Sequence, residues 1–153
     1  MSPSDENRVC RVLLVDDSES YLRALSKLLS REKDFSVVGE ASDGKAAVEQ
    51  AIKLRPDVIV MDIMMPEMDG IEAVRAVAAQ CPTPVLLTSV IARYPDERAR
   101  LGSFGFGQVE LIEKPTLVGP NAKGDVAALV KRARALAFAR GQTSRPPRVE
   151  APP

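Results

Sequence analysis

The sequence predicts an α/β protein: an open, doubly wound parallel sheet of five strands flanked by helices. Two observations lead to this prediction. Short apolar runs rich in valine, isoleucine and leucine, typical of strands buried on both faces, alternate with segments of helical periodicity along most of the 153 residues. The segments between successive strands also have lengths that suit the right-handed crossovers joining parallel strands.

The first three strands are predicted at the runs VCRVLLV, FSVVGEA and VIVM, which occupy 9–15, 35–41 and 58–61. Between the first two runs, an amphipathic helix has one leucine-rich face, formed by Leu22, Leu25, Leu28 and Leu29. Either Asp17 or Ser18 suits its N-cap. A second helix is predicted over 46–54, with an inward face formed by Ala47, Val48, Ala51 and Ile52.

The second half of the chain continues the alternation, with strands predicted at VLLT over 85–88 and VELI over 109–112. A third helix begins after Gly70, and a final helix is predicted from 125 to about 140. Three glycines lie close together within 91–108, and each costs a helix roughly 0.5–1 kcal/mol relative to alanine. The fourth helix, in this segment, is therefore predicted to be short or irregular.

One folded domain is predicted over 9–140, a length that can bury a single core. Residues 1–8 are polar, and we expect them to be disordered. Residues 141–153 carry four prolines and few apolar side chains, which is typical of a disordered tail or linker.

Composition excludes several classes of function. Basic and acidic residues number 21 each, so no net charge favours nucleic acid or a membrane surface, and no apolar run approaches the about 18 residues that span a bilayer. The chain has no histidine, which excludes catalytic triads and metal sites that use it. Two cysteines without a signal segment favour the reducing cytoplasm.

Polar side chains follow four of the predicted strands at their carboxyl ends, where doubly wound sheets bind ligands. They are Asp16, Asp17, Asp62, Ser89 and Lys114. Taken singly, an acidic pair before a helix is usually a cap and a Lys-Pro pair is usually a turn. Together they place three carboxylates beside one ammonium, and carboxylates 4 Å apart repel by about 4 kcal/mol at an effective dielectric constant near 20.

A divalent cation would remove this excess negative charge. Oxygen ligands suit a hard ion, and Mg²⁺ commonly binds through one or two carboxylates together with water and phosphate. Lys114 and the ion would stabilise charge on a transferring phosphoryl group, with Asp62 as the nucleophile. The pattern therefore predicts a phosphoryl-transfer site.

At these residues the sequence resembles the response-regulator receiver domains of two-component signalling, which have a flavodoxin-like fold. The resemblance is carried, in order, by the segments VLLVDDSES, DVIVMDIMMPEMDGIEAV, PVLLTS and IEKP, and covers about 9–140. Within the family, DDSESYLRALSKLL and MDIMMPEMDG are most similar to receivers of chemotaxis methylesterases. The methylesterase part is missing, and without histidine this chain cannot supply its Ser-His-Asp site.

The resemblance implies a role for each polar residue. Asp62 is the implied phosphoacceptor and an implied Mg²⁺ ligand, together with Asp17 and the backbone carbonyl of Met64. Asp16 is expected to position the ion or to bind it through water.

Ser89 matches the family's switch hydroxyl, and Lys114 matches the lysine that pairs with the phosphoryl group. Pro66 and Gly70 are expected to shape the loop after the acceptor. The family's Lys-Pro bond is typically cis, which predicts a cis bond between Lys114 and Pro115.

Two positions depart from the family pattern. The residue three before the lysine is usually aromatic and relays the signal, but here it is Leu111, and the usually small residue after the switch is Val90. One interpretation is sequence drift at a surface position. The other is that the glycine-rich segment at 102–107 moves in place of the aromatic ring.

The sequence thus predicts a non-enzymatic switch that accepts a phosphoryl group from a histidine kinase or phosphotransfer protein, with Mg²⁺ as cofactor. Its output is expected to be a downstream protein, an attached effector domain or a phosphorylation-dependent homodimer. Two alternatives remain open. The chain is an interaction scaffold that works without phosphorylation, or it is the regulatory fragment of a larger methylesterase-like protein.

Overall fold

The computed structural model describes residues 8–65, 70–90 and 109–139. Three predictions lie largely or wholly outside these ranges: the disordered N-terminus, the short helix and mobile glycine-rich segment within 91–108, and the tail at 141–153. Pro66 also lies outside the described residues.

The described residues form five strands and four helices in the predicted alternation. Their order is β1 (Cys10–Val15), α1 (Glu19–Leu29), β2 (Phe35–Ala41), α2 (Gly44–Leu54), β3 (Val58–Asp62), α3 (Gly70–Gln80), β4 (Val85–Ser89), β5 (Val109–Glu113) and α4 (Ala122–Ala139). Three of the strands extend one residue further than predicted and therefore include Asp62, Ser89 and Glu113. The polar residues that the sequence singled out are thus the last residues of strands or lie within two residues after them.

All five strands are parallel and lie in the order β2-β1-β3-β4-β5. The chain runs outward from β1 to β2 and then returns to β3 on the other side of β1. The order therefore reverses between β1 and β3, which is the point where ligands bind in such sheets. This confirms the predicted fold class. It also brings the ends of β1 and β3 side by side, with Val15 paired to Met61.

The core has two layers, one on each face of the sheet. One layer contains buried side chains of α2 and α3, such as Ala47 and Val74, packed on Leu13 and Ile59. The other contains buried side chains of α1 and α4, such as Leu25 and Leu129, packed on Val12 and Leu14. Alternate residues of a strand thus enter opposite layers, as the period of a strand requires.

Two expectations about the core differ from the structure. Ile52 was predicted on the inward face of α2, but it is 39% exposed, because it lies at the edge of the buried face of the helix. One of the two interpretations of Leu111 took it as a surface position, but it is buried in the layer formed by α2 and α3. The residue at the family's aromatic position is therefore part of the core.

No helix in the described ranges is long and apolar enough to cross a bilayer.

Gly70 begins α3 at a very close approach to the strand that carries Asp62. Its backbone N–H donates to the carbonyl of Ile63 over 2.8 Å. A Cβ at this position would lie 2.6 Å from the Ile63 Cα and 3.0 Å from the Asp62 carbonyl oxygen. Both atoms belong to the backbone and cannot move aside independently, so only glycine fits. This supports the predicted role of Gly70 in shaping the chain after Asp62.

We expect Gly70→Ala to destabilise the fold by about 1–3 kcal/mol, because the added methyl group overpacks against backbone. Gly124→Ala is the matched control. Gly124 lies in α4, and a Cβ added there would meet nothing within 4 Å, so alanine should stabilise the helix by up to about 1 kcal/mol. Urea unfolding of both variants measures the difference, and equal stabilities would contradict the assigned close approach.

Candidate functional site

Three carboxylates meet at the carboxyl edge of the sheet, where β1 and β3 end. One oxygen each from Asp16, Asp17 and Asp62 lies within 4.8 Å of the others. Asp16 and Asp62 are buried, whereas Asp17 is exposed. The cluster forms because β1 and β3 are neighbours and aspartates stand at the ends of both. The structure therefore brings together the acidic residues that the sequence singled out.

Local backbone contacts fix the two buried carboxylates. Asp16 Oδ1 accepts a hydrogen bond from the Ser18 N–H at 2.9 Å. Ser18, not Asp17, is the N-cap of α1, and its hydroxyl accepts from the Tyr21 N–H at 3.2 Å. Asp62 Oδ1 accepts from the Met64 N–H at 3.0 Å. One oxygen of each carboxylate is thus oriented by its own loop, and the other points to the site.

Lys114 connects the two buried carboxylates. Its Nζ lies 2.7 Å from Asp16 Oδ2 and 3.1 Å from Asp62 Oδ2. Its backbone N–H donates to the carbonyl of Ser89 at 2.9 Å, which continues the pairing of β4 with β5 past the last strand residue. The lysine therefore extends from the edge strand across the end of β4.

Tyr21, which no sequence pattern singled out, completes the surroundings of the lysine. Its ring centroid lies 4.3 Å from Lys114 Nζ, and its hydroxyl donates to the Pro115 carbonyl at 2.9 Å. Burial raises the pKa of Tyr21 above its usual range, as do the charges of Asp16 and Asp62, so the hydroxyl remains a donor. Tyr21 lies in the first turn of α1, and helical periodicity alone does not distinguish it from a packing residue.

The electrostatics of the site are unbalanced. Burial raises the pKa of Asp16, although the hydrogen bond from Lys114 opposes this shift. Burial opposes charge on Lys114 as well, but the hydrogen bond to Asp16 and the charge of Asp62 outweigh it and raise the pKa of Lys114. The lysine is therefore an ammonium at neutral pH. One ammonium against three carboxylates leaves a negative site that suits a hard divalent cation.

Ser89 and Thr88 have different positions relative to Asp62. Thr88 is the register partner of Asp62 across the pair formed by β3 and β4. Ser89 is the next residue, lies at the end of β4 and is fully buried. Since successive strand residues face opposite sides, the side chains of Thr88 and Ser89 lie on opposite faces of the sheet. The backbone of Ser89 contacts Lys114, and the role of its hydroxyl stays a prediction.

Two further expectations concern residues that flank the site: Met64, and the peptide bond between Lys114 and Pro115. The side chain of Met64 is 56% exposed, and its N–H contacts Asp62, while its carbonyl as a metal ligand stays a prediction. The predicted cis bond between Lys114 and Pro115 was wrong, because the described residues contain no cis peptide. Trans is the intrinsically favoured form of an X-Pro bond, by about 0.5–1 kcal/mol.

In a buffer without divalent cations, we expect Lys114→Met to lower the free energy of unfolding by about 2–3 kcal/mol, because two buried carboxylates lose their counter-charge. Arg132→Met is the matched control, since the ion pair from Arg132 to Glu110 is also 2.7 Å long but exposed. Its loss should cost at most about 1 kcal/mol. Denaturant unfolding measures both, and equal losses would show that the Lys114 bridge is no stronger than a surface pair.

Comparisons with known proteins agree with this architecture. The family model of the response regulator receiver domain matches residues 12–118. A protein-glutamate methylesterase/protein-glutamine glutaminase of Alkalilimnicola ehrlichii is 49% identical over 104 residues, which are 68% of this chain and 26% of that protein. One of Nocardioides sp. is 40% identical over 150 residues, which are 94% of this chain and 40% of that protein.

Among solved structures, the response regulator domain of Thermotoga maritima CheB superposes with a TM-score of 0.74 at 36% identity, covering 85% of this chain and 97% of that one. The chain spans only 26% to 40% of the length of the two curated relatives. The family match nevertheless covers most of the chain and includes all or part of every strand of the sheet. The chain belongs to the response regulator receiver family of two-component signalling, with chemotaxis methylesterases among its relatives.

Proposed function

We propose that this chain is a switch that accepts a phosphoryl group onto Asp62 from a histidine kinase or a phosphotransfer protein. The observation that carries the proposal is the bridge from Lys114 to Asp16 and Asp62 within the carboxylate cluster. An oxygen of Asp62 attacks phosphorus, and the bond from phosphorus to the donor's leaving group breaks. The Lys114 ammonium stabilises the negative charge of the phosphoryl oxygens during this transfer.

Mg²⁺ is the proposed cofactor, and the donor set fits it. The cluster offers only carboxylate oxygens within 4.8 Å of each other, and its excess negative charge calls for a hard cation. We propose that Asp17, Asp62 and the Met64 carbonyl bind the ion directly, with Asp16 positioning it or binding through water. When bound, Mg²⁺ neutralises charge on the phosphoryl oxygens. The exposure of Asp17 leaves this side of the cluster open to solvent.

Ser89 is the proposed switch hydroxyl, which would turn toward the phosphoryl group. It is fully buried, and its backbone already contacts Lys114, so a change at the lysine reaches it directly. Leu111 lies in the core where the family has its aromatic relay. The signal would therefore leave through residues other than an aromatic ring at this position.

The output is proposed as regulation through protein contacts, since a receiver domain is a regulatory module and not itself the enzyme. We propose that the receiver domain extends over 9–140. Because the chain spans only 26% to 40% of the two methylesterase relatives, it fits the regulatory part of a larger methylesterase-like protein. An attached effector domain, a separate downstream protein and a phosphorylation-dependent homodimer are the candidate outputs.

Incubation with acetyl phosphate and Mg²⁺ should add one phosphoryl group, detected as a mass increase of the intact protein. Asp62→Asn should abolish the increase, because the amide is not a nucleophile. Asp57→Asn is the matched control and should keep the mass increase. Asp57 is also buried, but it lies just before β3, at the opposite end of the strand, where it accepts a hydrogen bond from the Arg11 N–H. An unmodified wild-type chain would contradict the proposal and favour the scaffold that works without phosphorylation.

Millimolar Mg²⁺ should raise the thermal unfolding midpoint, because a cation that binds only the folded site stabilises it. Asp17→Asn should remove most of this rise, since it takes away an exposed ligand without disturbing the buried bridge. Glu19→Gln, which removes an exposed carboxylate from the first turn of α1, is the control and should keep the rise. The same rise in all three proteins would place the cation elsewhere.

A further inference from the structure

Tyr21 contacts both Lys114 and the residue that follows it. The face of the ring lies 4.3 Å from Lys114 Nζ, within the range of a cation–π interaction. The hydroxyl of the same side chain donates to the Pro115 carbonyl at 2.9 Å. A single side chain of α1 thus contacts the charged end of the lysine and the backbone next to it.

These contacts restrict a flexible side chain. A lysine has a flexible four-carbon stem and a compact charge that can hydrogen-bond in many directions. In this site the ammonium faces two carboxylates, Asp16 at 2.7 Å and Asp62 at 3.1 Å, and a third direction is closed by the Tyr21 ring. The ring attracts the ammonium without accepting its protons in a directed hydrogen bond. The ring therefore limits the positions of the ammonium without competing with the two carboxylates for its protons.

The hydroxyl holds the backbone in place. Lys114 and Pro115 follow the edge strand β5 and lie beyond its last paired residue. The bond from Tyr21 to the Pro115 carbonyl ties the segment after β5 to α1, a helix that packs against β1 and β2 within the core layer that also contains side chains of β3. The loop that carries the lysine is therefore attached to the same layer of the core as the strands that lead to Asp16 and Asp62.

We propose that Tyr21 is a positioning residue that holds Lys114 over Asp62 for phosphoryl transfer. The inference depends on the proposed phosphorylation of Asp62 and adds a residue that acts through the lysine. The ring confines the ammonium, and the hydroxyl confines the loop. Only the ring contacts the charge of the ammonium, and only the hydroxyl contacts the backbone. Substitution can therefore remove one contact without the other.

Two substitutions separate them. Tyr21→Leu removes both contacts, and we expect Mg²⁺-dependent phosphorylation by acetyl phosphate to slow about tenfold, the size of effect that one desolvated cation–π contact supplies. Tyr21→Phe keeps the ring and should stay within about threefold of the wild-type rate. Leu29→Ala is the control for lost packing, because Leu29 is buried in the same helix eight residues further on. The phosphorylation rate of Leu29→Ala should equal that of the wild type.

A double-mutant cycle distinguishes positioning from a general structural role. If Tyr21 acts through the lysine, Tyr21→Leu should cause no further loss of rate in a Lys114→Ala background. Equal fractional losses in both backgrounds would overturn the proposal. So would a wild-type rate in Tyr21→Leu.

Nuclear magnetic resonance gives a readout that does not require phosphorylation. The ring current of Tyr21 should shift the signals of the Lys114 ε-methylene upfield in the wild type and in Tyr21→Phe, but not in Tyr21→Leu. Absence of this shift in the wild type would overturn the inference even if phosphorylation occurs. Conversely, a shifted lysine in a chain that is never phosphorylated would contradict the proposed function while leaving the ring contact established.

Discussion

The two ion pairs of Lys114, 2.7 Å to Asp16 and 3.1 Å to Asp62, join the ends of three strands that are not all neighbours. The lysine follows β5, the aspartates stand at the ends of β1 and β3, and β4 lies between β3 and β5 in the sheet. The lysine must therefore extend across the end of β4. It can do so only if the strands end at nearly the same level.

The register of the sheet meets this requirement. Asp62 pairs with Thr88 and Ser89 pairs with Glu113, so β3, β4 and β5 end within one residue of each other. The close approach of Gly70 then places the start of α3 beside the end of β3. Packing of aliphatic side chains in two layers holds this alignment, and the alignment in turn holds two buried charges beside their counter-charge. The packing of the core thus determines how the strand ends align, and this alignment determines the distances between the charges of the site.

Most of the fold and the acidic part of the site could be predicted from the sequence, for a definite physical reason. A strand buried on both faces is apolar along most of its length, so the charged residue that follows the apolar run, such as Asp16 or Asp62, marks its end. Parallel strands then place these ends on one edge.

The features that could not be predicted from the sequence depend on contacts between elements that are distant in the chain. The position of Tyr21 over Lys114 joins residues 93 positions apart in the chain, and the periodicity of α1 contains no sign of it. The burial of Leu111 likewise follows from the packed structure and not from a local pattern. The sequence pattern therefore predicts that the carboxylates and Lys114 meet at one edge of the sheet, but not what holds the lysine there.

The most direct test of the central claim is a crystal structure of this chain with Mg²⁺ and beryllofluoride, which mimics a phosphoryl group on aspartate. The proposed function predicts beryllium bonded to an Asp62 oxygen, with Lys114 Nζ contacting a fluoride and Asp17 bound to the metal. Beryllofluoride absent from Asp62 at saturating concentration, with the bridge from Lys114 to Asp62 unchanged, would contradict it.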